Sequence, residues 1–140
     1  MVETLVVDAS VGVSLVTPDE IRHDATIECY SRMGAAGTLF VTTPFYAYEV
    51  GNTLSRARQK DHLQERFQDA RALALPTEPT EARLVRALAI AAESKLSFYD
   101  AAYVALGEQV GALVWTEDKQ ILKRFPERAI DTSGLLARLS

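Results

Sequence analysis

The sequence has little of what builds disulfide frameworks, zinc sites or membrane spans. Its 140 residues include one cysteine, Cys29, and two histidines. A single cysteine excludes an intramolecular disulfide framework and fits a reducing compartment, and no Cys/His pair has zinc-ligand spacing. No apolar run approaches the roughly 18 to 20 residues that cross a membrane. We therefore expect a cytoplasmic protein that does not bind membranes.

Positively charged residues are fewer than negatively charged ones, with 15 Lys and Arg against 19 Asp and Glu. The formal net charge is -4, which disfavours a protein that coats nucleic acid by electrostatics alone. It does not exclude an enzyme that acts on nucleic acid through a metal, because bound cations reverse the local field. The hydrophobic fraction of 48% and the charged fraction of 24% are ordinary for a globular protein. The length predicts one domain over residues 1–140.

Strand and helix patterns alternate along the chain. Predicted strands cover residues 3–7, 38–42, 112–115 and 129–132. Predicted helices follow Asp8 directly and cover 20–33, 44–60, 62–75, 81–94, the stretch from 96 to Gly111, and 119–125. In the helix 81–94 we expect Leu84 and Leu88 to face the core. This alternation predicts an α/β domain with a central, mostly parallel sheet and helices on both faces.

Four carboxylates occupy positions that suit a shared site. Active sites of such sheets lie beyond the carboxyl ends of the strands. Asp8 and the acidic turn 116–118 follow strands, Asp100 lies in the first turn of a helix, and Glu49 lies within one. Apolar neighbours border each of them, and buried carboxylates are costly unless cations pair with them. Two carboxylates about 4 Å apart repel by about 4 kcal/mol at an effective dielectric near 20.

A hard divalent cation would relieve this repulsion. Ligation by oxygen alone favours Mg²⁺ or Mn²⁺ over Zn²⁺. The predicted ligands and catalytic residues are Asp8, Glu49, Asp100 and Asp118.

Each acid also has a purely local interpretation. The sequence SFYD is a capping box that would make Asp100 a local residue. Asp8 and Asp118 could be helix caps, and Glu49 could be a solvated helix residue. Glu117 competes with Asp118 for the fourth position. Chance need not put carboxylates at both relevant strand ends, so the joint pattern favours a shared site.

Two arginines follow Glu49 on the same predicted helix. Arg56 and Arg58 belong to a basic helix end that could contact phosphates, although such a run is more often a solvated face. We keep both as candidate substrate-binding residues.

The segments VVDAS, YEVGNTL, SFYDAAYVAL and LVWTEDKQIL occur in this order and resemble, as a set, the PIN-domain ribonucleases. More specifically, they resemble the VapC-type toxins of toxin–antitoxin pairs. The resemblance implies that the four acids bind Mg²⁺ or Mn²⁺ and hydrolyse an RNA phosphodiester. It favours Asp118 over Glu117, gives Ser10 and Thr116 a role in orienting ligands or water, and makes Asn52 a supporting or substrate contact. It also implies a homodimer and a cognate antitoxin.

Other functions fit parts of the pattern. Within nucleases, a housekeeping RNA-processing enzyme or a DNA-cutting enzyme is an alternative. A non-enzymatic, Mg²⁺-binding receiver domain is an alternative of a different class. It should carry paired acids after its first strand and a lysine after a late one. Here Asp8 stands alone, and residues 129–132 contain no lysine.

Overall fold

A parallel sheet of five short strands forms the centre of the computed structural model, which describes residues 3–140. The strands are β1 Thr4–Val7, β2 Leu39–Thr42, β3 Leu75–Pro76, β4 Leu113–Trp115 and β5 Ala129–Ile130. Their order is β3-β2-β1-β4-β5, and every pairing is parallel. In the centre Val6 lies opposite Val41 and Val114. The predicted α/β fold is confirmed.

Helices cover both faces of this sheet. They are α1 Ala9–Leu15, α2 His23–Ala35, α3 Tyr46–Arg56, α4 Leu63–Ala72, α5 Glu81–Ser94, α6 Phe98–Val110, α7 Lys119–Arg124 and α8 Thr132–Leu139. Because side chains alternate along a strand, Leu5 and Val7 of β1 pack with the layer of α1 to α4 and α8. Val6 packs on the opposite face against α6. No helix within residues 3–140 has both the length and the apolar composition needed to span a bilayer.

The order in which strands are added to the sheet reverses at β1, although all strands stay parallel. The chain adds β2 and β3 on one side of β1 and then crosses to β4 on the other side. Where β1 and β4 end, the Asp8 N–H donates to the Trp115 carbonyl oxygen at 3.0 Å. Ligand sites of open α/β sheets lie at such reversals, beyond the carboxyl ends of the strands. A ligand site is therefore expected at the segments that follow β1 and β4.

Several predicted boundaries were wrong. Helix α2 begins at His23 rather than at residue 20, and α4 ends at Ala72 rather than at residue 75. Helix α3 is shorter than the predicted 44–60 at both ends. Its start is delayed because Thr43 closes a turn first, accepting a hydrogen bond from the Phe45 N–H on its side-chain oxygen at 3.2 Å. Its end is set by Ala57, whose backbone is extended.

Two elements were not predicted. Strand β3, which the pattern assigned to the end of a helix, is only two residues long and pairs with Val41 and Thr42 at the sheet edge. Its proline has no N–H, which an edge strand tolerates. Helix α8 begins where the predicted strand 129–132 was expected to continue. The Asp131 carboxylate caps it by accepting a hydrogen bond from the Gly134 N–H at 2.8 Å.

The predicted core face of α5 was also wrong. Leu84 and Leu88 are 40% and 61% exposed, whereas Arg83, Ala87 and Ile90 are buried. Burial of Arg83 is compensated because its guanidinium donates to the Thr77 side-chain and carbonyl oxygens and to Gln109. The helix therefore turns a partly charged face inward and leaves an apolar face outside.

Candidate active site

The four predicted acids line one cleft of about 350 Å³ beyond the ends of β1 and β4. Asp8 follows β1, Asp118 follows β4, Glu49 comes from α3 and Asp100 from the first turn of α6. The other residues lining the cleft are Ala9, Ser10, Val13, Ser14, Glu20, Arg22, Thr53 and Glu117. The fold thus brings together carboxylates that are as many as 110 positions apart in the sequence.

Asp8 is the buried member of the group, with 4% of its surface exposed. One of its oxygens, Oδ2, accepts hydrogen bonds from Ser10 Oγ at 2.6 Å and from Thr116 Oγ1 at 2.7 Å. Burial raises the pKa of the Asp8 carboxyl, those two hydroxyls oppose the rise, and the charge of Asp118 adds to it. The two hydroxyls hold the carboxylate in a fixed orientation.

The same two hydroxyls also bind the acidic turn. Ser10 Oγ accepts from the Glu117 N–H at 3.1 Å, and Thr116 Oγ1 accepts from the Asp118 N–H at 2.9 Å. Each hydroxyl therefore donates to Asp8 and accepts from the turn after β4. Because each hydroxyl donates its proton to Asp8 and accepts a hydrogen bond from the turn, the two hydroxyls hold the Asp8 carboxylate and the acidic turn together as one unit.

Glu117 and Asp118 have different partners. Oε2 of Glu117 accepts from the Thr132 N–H and hydroxyl at 2.8 and 2.6 Å, and Oε1 pairs with Arg22 Nε at 3.1 Å. Both Glu117 oxygens are therefore engaged in holding α8 and Arg22. In Asp118 only Oδ1 accepts hydrogen bonds from described residues, capping α7 through the Gln120 and Ile121 N–H groups.

Glu49 and Asp100 complete the lining from the helical side. The Tyr103 hydroxyl donates to Glu49 Oε1 at 3.1 Å. Burial raises the pKa of Glu49 to about 7, and the negative charges of Asp8, Asp100 and Asp118 contribute to the rise. Burial likewise raises the pKa of Asp100 to about 6, and Asp118 and Asp8 contribute. Mutual repulsion among the acids is therefore part of the chemistry of the cleft.

None of the four acids has a salt-bridge partner within residues 3–140. In the same range no three His, Cys, Asp or Glu side chains stand close enough to form a ready metal cluster. The acids therefore surround an open cleft rather than a closed cage. Partly buried carboxylates without cationic partners form a donor set of oxygen atoms that a hard divalent cation would suit.

The remaining predicted residues fall into two groups. Ser10 and Thr116 are part of the cleft through their hydrogen bonds to Asp8. Asn52 is exposed one turn along α3 from Glu49 and lines a neighbouring cleft that Glu49 also lines. Arg56 and Arg58 are exposed at and beyond the C-terminal end of α3 and do not line the acidic cleft.

The sequence analysis missed Tyr103, which donates to Glu49, and Thr53, which lines the cleft. Both could have been found, because Tyr103 lies three residues after Asp100 and Thr53 four residues after Glu49, on the same sides of their helices.

Arg22, another residue of the cleft, was also missed. It joins Glu20 to Glu117, with its NH1 3.0 Å from Glu20 Oε1. The contact with Glu20 is local, but the contact with Glu117 depends on how distant segments of the chain pack, so no local signal marks it.

Comparison with known proteins identifies the family of the chain. Residues 5–127 match the PIN domain family. The chain is 33% identical over 131 residues to Ribonuclease VapC3 of Pyrobaculum aerophilum, which covers 87% of this chain and 95% of that protein. It is 31% identical over 102 residues to Exonuclease VapC9 of the same organism, covering 66% of this chain and 71% of the relative.

Solved structures show the same fold. The crystal structure of PAE2754 from Pyrobaculum aerophilum superimposes with a TM-score of 0.72 at 25% identity, covering 99% of this chain and 98% of the other. VapBC2 from Rickettsia felis, bound to a DNA fragment from its promoter, gives 0.68 at 10% identity, over 91% of this chain and 98% of that one. At 10% identity, the likeness to VapBC2 concerns the fold alone. By its sequence match and its relatives, the chain belongs to the PIN-domain family and to the VapC-type members within it.

Proposed function

We propose that this chain is a metal-dependent endoribonuclease and the toxin of a VapBC-type toxin–antitoxin pair. The observation that carries the proposal is the convergence of four carboxylates, from four chain segments, in one cleft at the strand-order reversal. The relative named Ribonuclease VapC3 supports hydrolysis of RNA as the reaction. A receiver-like signalling function is disfavoured because the chain belongs to the PIN-domain family.

The donor set fits Mg²⁺ or Mn²⁺. Asp8, Glu49, Asp100 and Asp118 would hold the ion through carboxylate oxygens alone. A cleft of about 350 Å³ leaves room for the waters that Mg²⁺ keeps. When bound, such an ion supplies neutralisation of phosphate charge and acidification of a water nucleophile.

The residues of the chain itself position this chemistry. Ser10 and Thr116 fix Asp8 Oδ2, so that Oδ1 is the oxygen left to serve the cleft. Tyr103 orients Glu49 through one oxygen, and capping of α7 orients Asp118 through Oδ1. Asp8, Glu49 and Asp118 are therefore each held by one oxygen, and the other oxygen accepts no hydrogen bond from the described residues. Arg22, which also lines the cleft, pairs with Glu117.

A second reaction, exonucleolytic cleavage, is favoured by one observation. The relative at 31% identity is named Exonuclease VapC9. An open cleft admits a strand from either direction, so the geometry suits cleavage within a strand as well as at its end. Circular single-stranded RNA separates the two reactions, because an endonuclease linearises it and an exonuclease leaves it intact.

The partners follow from the same proposal. We propose a cognate antitoxin that blocks the cleft, a homodimer, and a cytoplasmic location. The VapBC2 structure from Rickettsia felis, which has the same fold, supports an antitoxin partner. Expression of the chain alone should stop growth, and co-expression of the product of the adjacent reading frame should restore it. Normal growth at high soluble expression would contradict the toxin assignment.

The direct test is cleavage of linear and circular RNA by purified protein. With Mg²⁺ or Mn²⁺ we expect both substrates to be cut, and EDTA should abolish cleavage. Asp8→Asn, Glu49→Gln, Asp100→Asn and Asp118→Asn should each lose most of the rate. Asp69→Asn is the matched control, since Asp69 is an exposed acid on α4 away from the cleft. Cleavage that persists after thorough metal removal would overturn the mechanism.

A further inference from the structure

A second cleft, of about 570 Å³, adjoins the acidic one. Phe45, Tyr48, Glu49, Asn52 and Tyr99 line it. Glu49 lines both clefts, and Tyr99 immediately precedes Asp100 in the sequence. A strand whose phosphate lies at the acids therefore has this second cleft, which we call the aromatic cleft, directly beside it.

The aromatic cleft exposes ring surface. Tyr48 is 80% exposed and Tyr99 is 51% exposed, although both are large and could have been buried. The Tyr99 ring packs edge to face on Phe45, with ring centroids 4.9 Å apart and an angle of 83° between the planes. This packing fixes the orientation of the Tyr99 ring while half of its surface stays accessible. An exposed ring of fixed orientation, beside a site for a phosphodiester, is suited to stacking against a planar group of the ligand.

Nucleobases are the occupants that fit these features best. Proteins bind single-stranded RNA by stacking unpaired bases on aromatic side chains and by contacting base edges with polar groups. The Asn52 side chain, at the edge of the same cleft, carries both a donor and an acceptor for such contacts. An anionic ligand would be repelled by Glu49, whereas a neutral base would not. Continuity with the acidic cleft favours a base over an apolar side chain from another protein.

We propose that Tyr48 and Tyr99 form a nucleobase-binding subsite, in which an unpaired base of the RNA stacks next to the phosphate to be cut. The inference rests on the proposed ribonuclease function and extends it to substrate recognition. It predicts that a base must be present beside the cleavage position.

The test compares ring removal with ring retention. Tyr48→Ala and Tyr99→Ala should each lower kcat/KM on single-stranded RNA by about 5-fold to 100-fold, the range that one stacked base contributes. Tyr48→Phe and Tyr99→Phe should remain near wild type, because the ring is kept. Ile21→Ala is the matched control, since Ile21 is 92% exposed and does not line either cleft. Melting curves of every variant establish that each is folded.

A second arm removes the base instead of the ring. The probe is a 12-nucleotide RNA that contains a site cut by wild type, mapped on cellular RNA, with single abasic substitutions on either side of that site. One abasic position should slow wild type as much as the alanine variants are slowed, and it should slow those variants no further. If wild type cuts no RNA, the proposed function fails and the subsite with it.

Cleavage by wild type with unchanged rates for both alanine variants would overturn the subsite alone. So would a change in sedimentation of those variants without a change in cleavage, because it would make the aromatic cleft a protein contact.

Discussion

Asp8 and Thr116, which directly follow two neighbouring strands, are joined by a hydrogen bond of 2.7 Å from Thr116 Oγ1 to Asp8 Oδ2. The same oxygen of Thr116 accepts the Asp118 N–H at 2.9 Å. One hydroxyl therefore sets the relative positions of two of the four acids. Because Thr116 is fully buried, no water can replace this hydroxyl without a rearrangement of the strand ends.

Thr116→Val tests that role. Valine has a similar shape but removes one of the two hydroxyls that donate to Asp8 Oδ2 and leaves the Asp118 N–H without its partner. We expect the free energy of unfolding to fall by about 1 to 3 kcal/mol. Cleavage should fall by about 10- to 100-fold, the usual cost of losing a group that orients a metal ligand. Thr116→Ser keeps the hydroxyl and should recover most of the rate. Equal activity of the valine and serine variants would contradict the assignment.

The raised pKa of Glu49 predicts that the metal-free protein loses stability as pH rises. The pKa of Glu49 rises from an ordinary 4.5 to about 7 in the fold. Between these values the folded chain holds a proton that the unfolded chain has released, so stability falls as pH rises. In EDTA, the free energy of unfolding of wild type should therefore decline from about pH 4.5 to about pH 7, relative to Glu49→Gln.

Mg²⁺ should act in the opposite direction. The ligands must be deprotonated to bind it, so stabilisation by Mg²⁺ should grow as pH rises through about 6 and about 7, the pKa values of Asp100 and Glu49. Denaturant unfolding at several pH values, with EDTA and with Mg²⁺, measures both trends. Parallel curves for wild type and Glu49→Gln would show that Glu49 does not titrate as proposed.

Glu117→Gln separates the two candidate acids of the turn. Both Glu117 oxygens are used to hold Thr132 and Arg22, so we expect lower stability but continued metal-dependent cleavage. Asp118→Asn should do the reverse, losing cleavage while remaining folded. The measurement is the cleavage rate beside the melting temperature for each variant. Loss of cleavage in Glu117→Gln, with near-normal cleavage in Asp118→Asn, would show that Glu117 is the fourth acid of the site.

The proposed homodimer needs an apolar surface, and α5 supplies one. Leu84, Val85 and Leu88 are 40%, 60% and 61% exposed on that helix. Sedimentation should give twice the 15.4 kDa chain mass, and Leu88→Glu should return the protein to a monomer. Ile21→Glu, at a position 92% exposed elsewhere, should leave the dimer intact. A wild-type monomer at high concentration would contradict the dimer.

Local signals in the sequence were enough for the fold class and for the placing of the acids. Asp8 directly follows β1, and Asp118 lies in the turn after β4. Because parallel strands end at the same edge of a sheet, the alternation predicts that these two acids lie close together. The inward face of α5 could not be predicted in the same way. Arg83 can be buried because Thr77 and Gln109 accept hydrogen bonds from its guanidinium, and these partners belong to other parts of the chain.

The missed elements share a physical cause. Strand β3 consists of two residues and exists only because Val41 and Thr42 pair with it, so no local periodicity marks it. The role of Glu117 likewise depends on which helix packs beside it. Thr132, the partner of Glu117, lies at the start of α8, a helix that the strand-like pattern before it concealed.

The convergence of the acids on one cation is tested most directly by melting Asp118→Asn in EDTA and in Mg²⁺. Asn keeps the cap on α7, while removal of the charge relieves repulsion with Asp8, Glu49 and Asp100. Asp131→Asn is the matched control, because Asp131 caps α8 in the same way but does not line the cleft.

We predict that Asp118→Asn melts above wild type in EDTA, and that Mg²⁺ raises the melting temperature of wild type and Asp131→Asn more than that of Asp118→Asn. Superimposable curves for wild type and Asp118→Asn under both conditions would contradict a shared cation site.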